Sequence, residues 1–234
     1  MSDKRTEVRN SFSAIAGRYD LMNSLCSFGV ERRWRRIAVE TLRLKKEMRV
    51  LDLCAGTMTV SVDVAHAAGG VRVTALDFCP EMLQAGRNRL KPHDLEWIDP
   101  VCAEGEKIPI ADGTFDGAIV TYGVRNLHDT KAGVNEVFRV LKPGGRFVIL
   151  EFTRPTLPIF RTLYHLYVAR IMPALGALVT RSPEAYHYLS RSIGEFMDPG
   201  ELIALLEGAG FEEAGIKRLT FGIVGLYTAV KPES

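Results

Sequence analysis

The stretch 48–80 constrains this chain more than any other, because it reads as strand, glycine turn, helix, strand and acidic residue in one run. Arg49-Val50-Leu51-Asp52-Leu53-Cys54 has the length and β-branched character of a buried parallel strand. Ala55-Gly56-Thr57 breaks the chain, residues 60–68 are apolar and helix-compatible, and Gly69-Gly70 ends that helix. Val71-Arg72-Val73-Thr74-Ala75-Leu76 is a second strand, with Asp77 at its carboxyl end. Such a βαβ unit binds ligands in the crevice outside the carboxyl ends of its strands. Asp77, 25 residues beyond Asp52, stands where an acid accepts hydrogen bonds from two ribose hydroxyls.

A dinucleotide fingerprint needs glycine at 56, 58 and 61, and the sequence has Gly56, Met58 and Ser61. A pyrophosphate pressed onto the turn is therefore disfavoured. The alternative is a ligand without phosphate, S-adenosylmethionine. Val50-Leu51-Asp52 followed by Gly56-Thr57 resembles the first motif of the class I methyltransferases. That resemblance implies a turn that approaches the methionine part of the cofactor and an acid after strand two that holds the ribose.

Composition sets the outer bounds. The 234 residues suffice for one large domain, or a domain with an added cap. Hydrophobic residues at 47% and charged residues at 25% describe an ordinary globular protein. A net charge of +2 gives no argument for a nucleic-acid partner. Cys26, Cys54, Cys79 and Cys102 form no C-x-x-C pair, which suggests neither a metal site nor a disulfide framework and fits a reducing cytoplasm. The polar start leads into no signal-peptide core, and no run of about 18 apolar residues predicts a transmembrane helix.

In chain order, residues 1–10 are charged and are expected to be loose. From Glu31, Trp34, Ile37, Ala38, Thr41 and Leu42 recur at helical spacing, with Arg32, Arg33, Arg35 and Arg36 between them. This is an amphipathic helix whose basic face is either simply solvated or also drawn to an anionic membrane. Residues 80–90 predict a helix with Pro80 at its start, and 95–101 a third strand. Phe115-Asp116-Gly117-Ala118-Ile119-Val120 is strand four, ending at Tyr122-Gly123-Val124-Arg125-Asn126 in the same crevice. A helix over 134–141 is stopped by Lys142-Pro143-Gly144-Gly145, and 146–152 is strand five. From Arg154 the chain becomes rich in Leu157, Ile159, Phe160, Leu163, Tyr164, Leu166, Tyr167, Ile171, Met172 and Leu175, either a satellite hydrophobic cluster or a lid over an apolar substrate. A helix over 201–209 and strands over 215–220 and 224–230 close the fold. The expected architecture is α/β: a Rossmann-like, mostly parallel sheet with an antiparallel C-terminal strand and helices on both faces. It divides into an N-terminal helical cap (1–47), a cofactor-binding core (48–153), a helical lid (154–198) and a closing helix with two strands (199–234).

From about Phe12 to Pro232 the chain resembles the C-methyltransferases of ubiquinone and menaquinone biosynthesis. The resemblance rests on Tyr19-Asp20-Leu21-Met22-Asn23 with Ser27 and Trp34, on Tyr122-Gly123-Val124-Arg125-Asn126, and on Arg139-Val140-Leu141-Lys142-Pro143-Gly144-Gly145 running to Glu151. Tyr186-His187-Tyr188-Leu189 and Leu219-Thr220-Phe221-Gly222-Ile223-Val224 also look like family segments. The chain departs from the family pattern at Glu31 (usually His), Met58 (usually Gly) and Thr153 (usually Ser). Met58 is expected to place a side chain beside the cofactor's methionine tail and to weaken or rearrange binding.

The resemblance implies methylation of a polyprenylated quinol ring carbon, with demethylmenaquinol or the benzoquinol of ubiquinone synthesis as acceptor. For S-adenosylmethionine it implies Asp52, Gly56, Thr57 and Met58 at the turn, Asp77 and Phe78 after strand two, Glu104 and Gly105 after strand three, and Tyr122 after strand four. For chemistry it implies Arg125 and Asn126 at the quinol oxygen. Tyr19, Asp20, Tyr122 and His128 are candidate proton acceptors or relays; Asp20 reads equally as a helix cap, and Asp52 as a purely structural acid. A lipid substrate implies peripheral membrane contact, through Phe160, Leu163, Tyr164 and Tyr167 with the basic helix. Apolar lid surface would also suit a homodimer. Rival readings are a class I methyltransferase of another apolar acceptor and a non-catalytic quinone-binding scaffold.

Overall fold

The computed structural model describes residues 4–155, 157, 158, 162, 164, 166–171 and 183–233. Seven strands form one sheet in the order β3-β2-β1-β4-β5-β7-β6. They are β1 (Arg49–Leu53), β2 (Arg72–Asp77), β3 (Ile98–Cys102), β4 (Phe115–Thr121), β5 (Leu141–Phe152), β6 (Glu212–Leu219) and β7 (Val224–Val230). The first five pair in parallel, while β7 runs antiparallel to both of its neighbours, β5 and β6. The strand order reverses between β1 and β4, so their carboxyl ends flank the crevice that such sheets use for ligands.

The helices are α1 (Lys4–Ile15), α2 (Tyr19–Cys26), α3 (Glu31–Thr41), α4 (Thr59–Ala67), α5 (Pro80–Arg87), α6 (Thr130–Val140), α7 (Pro183–Glu195) and α8 (Pro199–Gly208). Alternation along β1 sends Val50 to a core shared with Trp34, Ala38 and Val64, and Leu51 and Leu53 to one shared with Val134, Val137, Leu202 and Leu206. α3 and α4 thus cover one face of the sheet, and α6 and α8 the other. α8 opens on a capping box between Asp198 and Glu201, and the Asp129 side chain caps α6 through the Ala132 amide.

Three local expectations change. Residues 4–10 are helical, not loose: α1 buries only Val8 and Ile15, and polar ties from its first turn hold it down. β5 begins at Leu141, because Phe115 pairs with Leu141 and Gly117 with Arg146, leaving Lys142-Pro143-Gly144-Gly145 as a bulge. Backbone bonds of 2.9 Å, Gly144 N to Lys231 O and Lys231 N to Gly145 O, hold that bulge. β3 starts only at Ile98 and carries Pro100, which an edge strand tolerates because its missing N–H is not needed.

Candidate active site

Both strands at the reversal point end in a left-handed residue, Cys54 (φ 55°) after β1 and Tyr122 (φ 56°) after β4. A side chain in that region costs about 1–2 kcal/mol, and such strain collects at working sites. The two ends touch: a Cβ at Gly123 would lie 2.4 Å from Cys54 Cβ, so only glycine permits the approach. α5 meets the turn just as closely, since a Cβ at Gly86 would lie 2.5 Å from Thr57 O. The turn is therefore wedged between backbone segments.

Two cavities open on this edge. The smaller is walled by Cys54, Leu76, Asp77, Phe78, Glu104 and Gly105, closed on its far side by Asn126, Leu127 and His128. The Asp77 carboxylate accepts the Gly56 and Cys79 amides at 2.8 Å each. Burial pushes its pKa up to about 6 against those two bonds. Each Asp77 oxygen retains a lone pair, Phe78 and Leu127 supply apolar walls, and Glu104 supplies a second acceptor. These acceptors and apolar walls suit the hydroxyls and base at the adenosine end of S-adenosylmethionine. α1 covers the opening: Lys4 donates to Leu127 O, and Arg5 pairs with Glu104 at 3.0 Å.

The larger cavity, about 380 Å³, is lined by aromatic side chains from the cap, the sheet edge and the segment after β5: Phe12, Tyr19, Trp34, Tyr122, Phe152 and Tyr188 among them. α1 contributes Ser11, Phe12 and Ile15 here as well, so one helix walls both cavities. Tyr164 and Tyr167 also line the large cavity; Phe160 and Leu163, like Ile159, Met172 and Leu175, lie outside the described residues. The 3-10 turn Val124–Asn126 splits two neighbours between the chambers: Arg125 faces the large one and Asn126 the small one. Arg125 is buried, with Nη1 2.7 Å from Glu151 Oε1 and its guanidinium 5.4 Å above the Phe152 ring. Burial opposes its charge most strongly, but the Glu151 carboxylate, together with Tyr19 and Tyr188, outweighs it and leaves the pKa raised. Asn126 accepts the Tyr188 hydroxyl at 2.9 Å.

The other expected site residues fall elsewhere. Asp20 lines neither cavity; it accepts Thr57 Oγ1 at 2.8 Å and Thr59 Oγ1 at 3.1 Å and pairs with Arg89, fastening the cap to the turn. Asp20 is thus neither a cap of its own helix nor a free base. Burial raises the Tyr19 and Tyr122 hydroxyls above the ordinary phenol value, which makes them donors at neutral pH rather than proton acceptors. Tyr122 and Tyr164 hydroxyls are buried without a protein partner.

Asp52 lines neither cavity. Its Oδ2 accepts Ser61 Oγ at 2.6 Å in the first turn of α4, while Oδ1 has no partner. Burial raises its pKa to about 7, with the Ser61 bond opposing and the Asp77 charge assisting. Because the folded value lies above the unfolded one, the stability this group contributes is full below about pH 3.9 and is lost as pH rises through about 7. Asp52→Asn, which still accepts Ser61 Oγ, is expected to remove that loss, on the order of 4 kcal/mol. Urea unfolding at pH 5 and pH 8 checks this: the variant's advantage over the parent must grow with pH, and equal slopes refute it.

Met58 departs from its expectation too. It has the left-handed backbone (φ 59°) that glycine would adopt freely, yet its side chain is fully buried in the core with Val60 and Leu83 and lines neither cavity. Met58→Gly would relieve about 1–2 kcal/mol of backbone strain and lose about 2–5 kcal/mol of packing. A net destabilisation of roughly 1–3 kcal/mol is expected in urea unfolding, and a stabilised variant would contradict this balance.

One residue was not foreseen as a site member. Glu31, at the start of α3, is 5% exposed and is the only carboxylate among the described residues lining the large cavity. It accepts the Ser27 hydroxyl, with Arg35 at 3.7 Å and Arg32 at 3.8 Å from its Oε1. In the sequence an acid in the first turn of a helix reads as an ordinary complement to the helix dipole. Glu151 carried a plainer signal: a lone charge between the apolar run Val148-Ile149-Leu150 and Phe152.

Residues 1–231 match the ubiE/COQ5 methyltransferase family. The demethylmenaquinone methyltransferase of Corynebacterium efficiens is 41% identical over 226 residues, covering 97% of this chain and 94% of that protein. The ubiquinone/menaquinone biosynthesis C-methyltransferase UbiE of Geobacter sp. (strain M21) is 40% identical over 233 residues, 99% of each. Among solved structures, an S-adenosylmethionine-dependent methyltransferase from Thermotoga maritima superimposes with a TM-score of 0.69 at 17% identity, covering 96% of this chain and 99% of the other. That last match is a likeness of fold.

Proposed function

The chain belongs to the ubiE/COQ5 methyltransferase family and is an S-adenosylmethionine-dependent C-methyltransferase of quinone biosynthesis, and from this premise we propose that its acceptor is a demethylmenaquinol. The observation that carries the proposal is the aromatic-walled chamber of about 380 Å³, with one guanidinium and one carboxylate among the described residues of its lining, beside the smaller cavity at Asp77 and Glu104. Several of the most similar relatives bear the demethylmenaquinone name, which favours the naphthoquinol over the benzoquinol.

When bound, S-adenosylmethionine supplies an electrophilic methyl group on its sulfonium. Asp77, Phe78, Glu104 and Gly105 hold its adenosine end, and Asn126 faces it from the wall between the chambers. A quinol ring carbon becomes nucleophilic only when a neighbouring hydroxyl gives up its proton. Glu31 accepts that proton. Arg125 holds the resulting ring oxygen, its charge kept in place by Glu151, and the buried Tyr122 and Tyr164 hydroxyls donate to ring oxygens. Once the ring carbon has bonded to the methyl group and the methyl–sulfur bond has broken, the ring oxygen takes its proton back from Glu31. Glu31, a carboxylate again, receives the proton that the ring carbon sheds as the ring recovers aromaticity and passes it to solvent. The aromatic walls exclude water from this step. Tyr164, Tyr167, Tyr188 and Leu189 serve as the cover of the acceptor chamber.

We further propose that the chamber opens onto a membrane surface. Phe28, on the chamber lining, is 81% exposed, with Leu21, Leu25, Ile171 and Phe221 also exposed and the solvent-facing Arg32, Arg33 and Arg36 close by in sequence. An apolar rim flanked by arginines suits an anionic bilayer. Among the described residues no helix is long and apolar enough to cross one.

The test incubates the protein with trideuteromethyl-labelled S-adenosylmethionine and reduced demethylmenaquinone in anionic vesicles. A labelled ring methyl supports the reading; no product from a protein that binds S-adenosylhomocysteine calorimetrically would overturn the acceptor. Vesicle flotation tests the rim: binding at low salt, lost in Phe28→Ser, is expected, and equal flotation of both proteins would refute it.

A further inference from the structure

We propose that His66, His93 and Asp94 form a binding site for a zinc-type divalent cation, at the edge of the sheet opposite the two cavities. His66 lies in the last turn of α4, while His93 and Asp94 lie in the loop between α5 and β3. Both segments lead into the amino ends of strands, so the cluster sits away from the carboxyl-end crevice.

The Asp94 side chain is 7% exposed, and its Oδ2 accepts the Lys91 amide at 3.1 Å. Its Oδ1 has no hydrogen-bond partner, although His66 Nε2 lies 2.9 Å and His93 Nε2 3.3 Å away. Two nitrogens therefore converge on one buried oxygen without the alignment that a hydrogen bond requires. The imidazoles face each other nearly parallel, 14° apart with centroids at 6.2 Å, and all three ligand atoms lie within 4.8 Å of one another. Bonds of about 2.0–2.2 Å in a tetrahedral site put ligand atoms roughly 3.3–3.6 Å apart. The His93–Asp94 separation of 3.3 Å meets this, and His66–Asp94 at 2.9 Å needs only a small opening. The imidazoles are half exposed or more and free to close the remaining gap.

Two imidazoles and one carboxylate suit zinc, nickel or copper rather than magnesium or calcium. Three protein ligands leave further positions to water. The cation would staple the C-terminal end of α4 to the loop before β3. Because α4 starts at the glycine turn, its effect is on the stability of the cofactor half of the fold.

Calorimetric titration of the intact protein with zinc, together with thermal melting and cobalt absorption spectra, tests the proposal. A single equivalent should bind, raise the melting temperature and give visible cobalt bands with no thiolate charge-transfer band. His66→Ala and His93→Ala, both at exposed positions, should each weaken binding by at least roughly tenfold, the lower bound seen even for loss of an outer-shell partner. Unchanged affinity in the His66→Ala/His93→Ala double variant, or a thiolate band pointing to the exposed Cys102, would overturn it.

Discussion

Glu31→Gln is expected to lower kcat by about 10²–10⁴-fold, the range lost when a general base is removed, while S-adenosylhomocysteine binds as before. The amide keeps the shape of the carboxylate and still accepts the Ser27 hydroxyl, so the cavity wall stays in place. Its cost to the fold is small. An anion at the start of α3 contributes about 0.3–1 kcal/mol through the helix dipole, and Arg35, 3.7 Å from Glu31, keeps Asp63 at 3.4 Å as a partner when the charge is removed. Rate and stability therefore separate cleanly. Glu31→His should recover part of the lost rate because imidazole is again a base. Full kcat in the glutamine variant would remove Glu31 from the chemistry and return the search for a proton acceptor to ordered water.

Arg125→Met is expected to fail in two separable ways. The side chain of Glu151 is fully buried, and the arginine is its ion-pair partner. Removing one partner of a buried pair costs about 3–5 kcal/mol, because the remaining charge keeps its desolvation penalty. The Arg125→Met/Glu151→Gln double variant removes both charges and should regain most of that stability, since Gln can still accept the Phe152 amide that Glu151 accepts at 2.9 Å. Activity should stay roughly 10²–10³-fold down in both variants, as for a missing oxyanion donor. Urea unfolding reads the first effect and initial rates the second. A double variant with restored kcat would reduce Arg125 to a structural partner of Glu151.

The sequence disclosed the frame because its signals are local. Val50 to Cys54, the broken chain at Gly56 and the acid at Asp77 fix strand, turn and crevice within 30 residues, and each is readable from its neighbours alone. The site was only partly legible because burial is a tertiary fact. Glu31 looks like a surface acid until the cap folds over it. Asp20 looks like a base or a cap until Thr57 and Thr59, far along the chain, claim its oxygens. Met58 looked like an obstruction because its backbone position is visible in the motif while the direction of its side chain is not. α1 escaped notice for the opposite reason: with two buried apolar residues its periodicity is faint, and its partners Glu104 and Leu127 lie about a hundred residues away.

That helix also ties the two sites together. Since α1 contributes Arg5 to one chamber and Ser11, Phe12 and Ile15 to the other, a change that loosens it is expected to weaken S-adenosylhomocysteine binding and quinol turnover together rather than either alone.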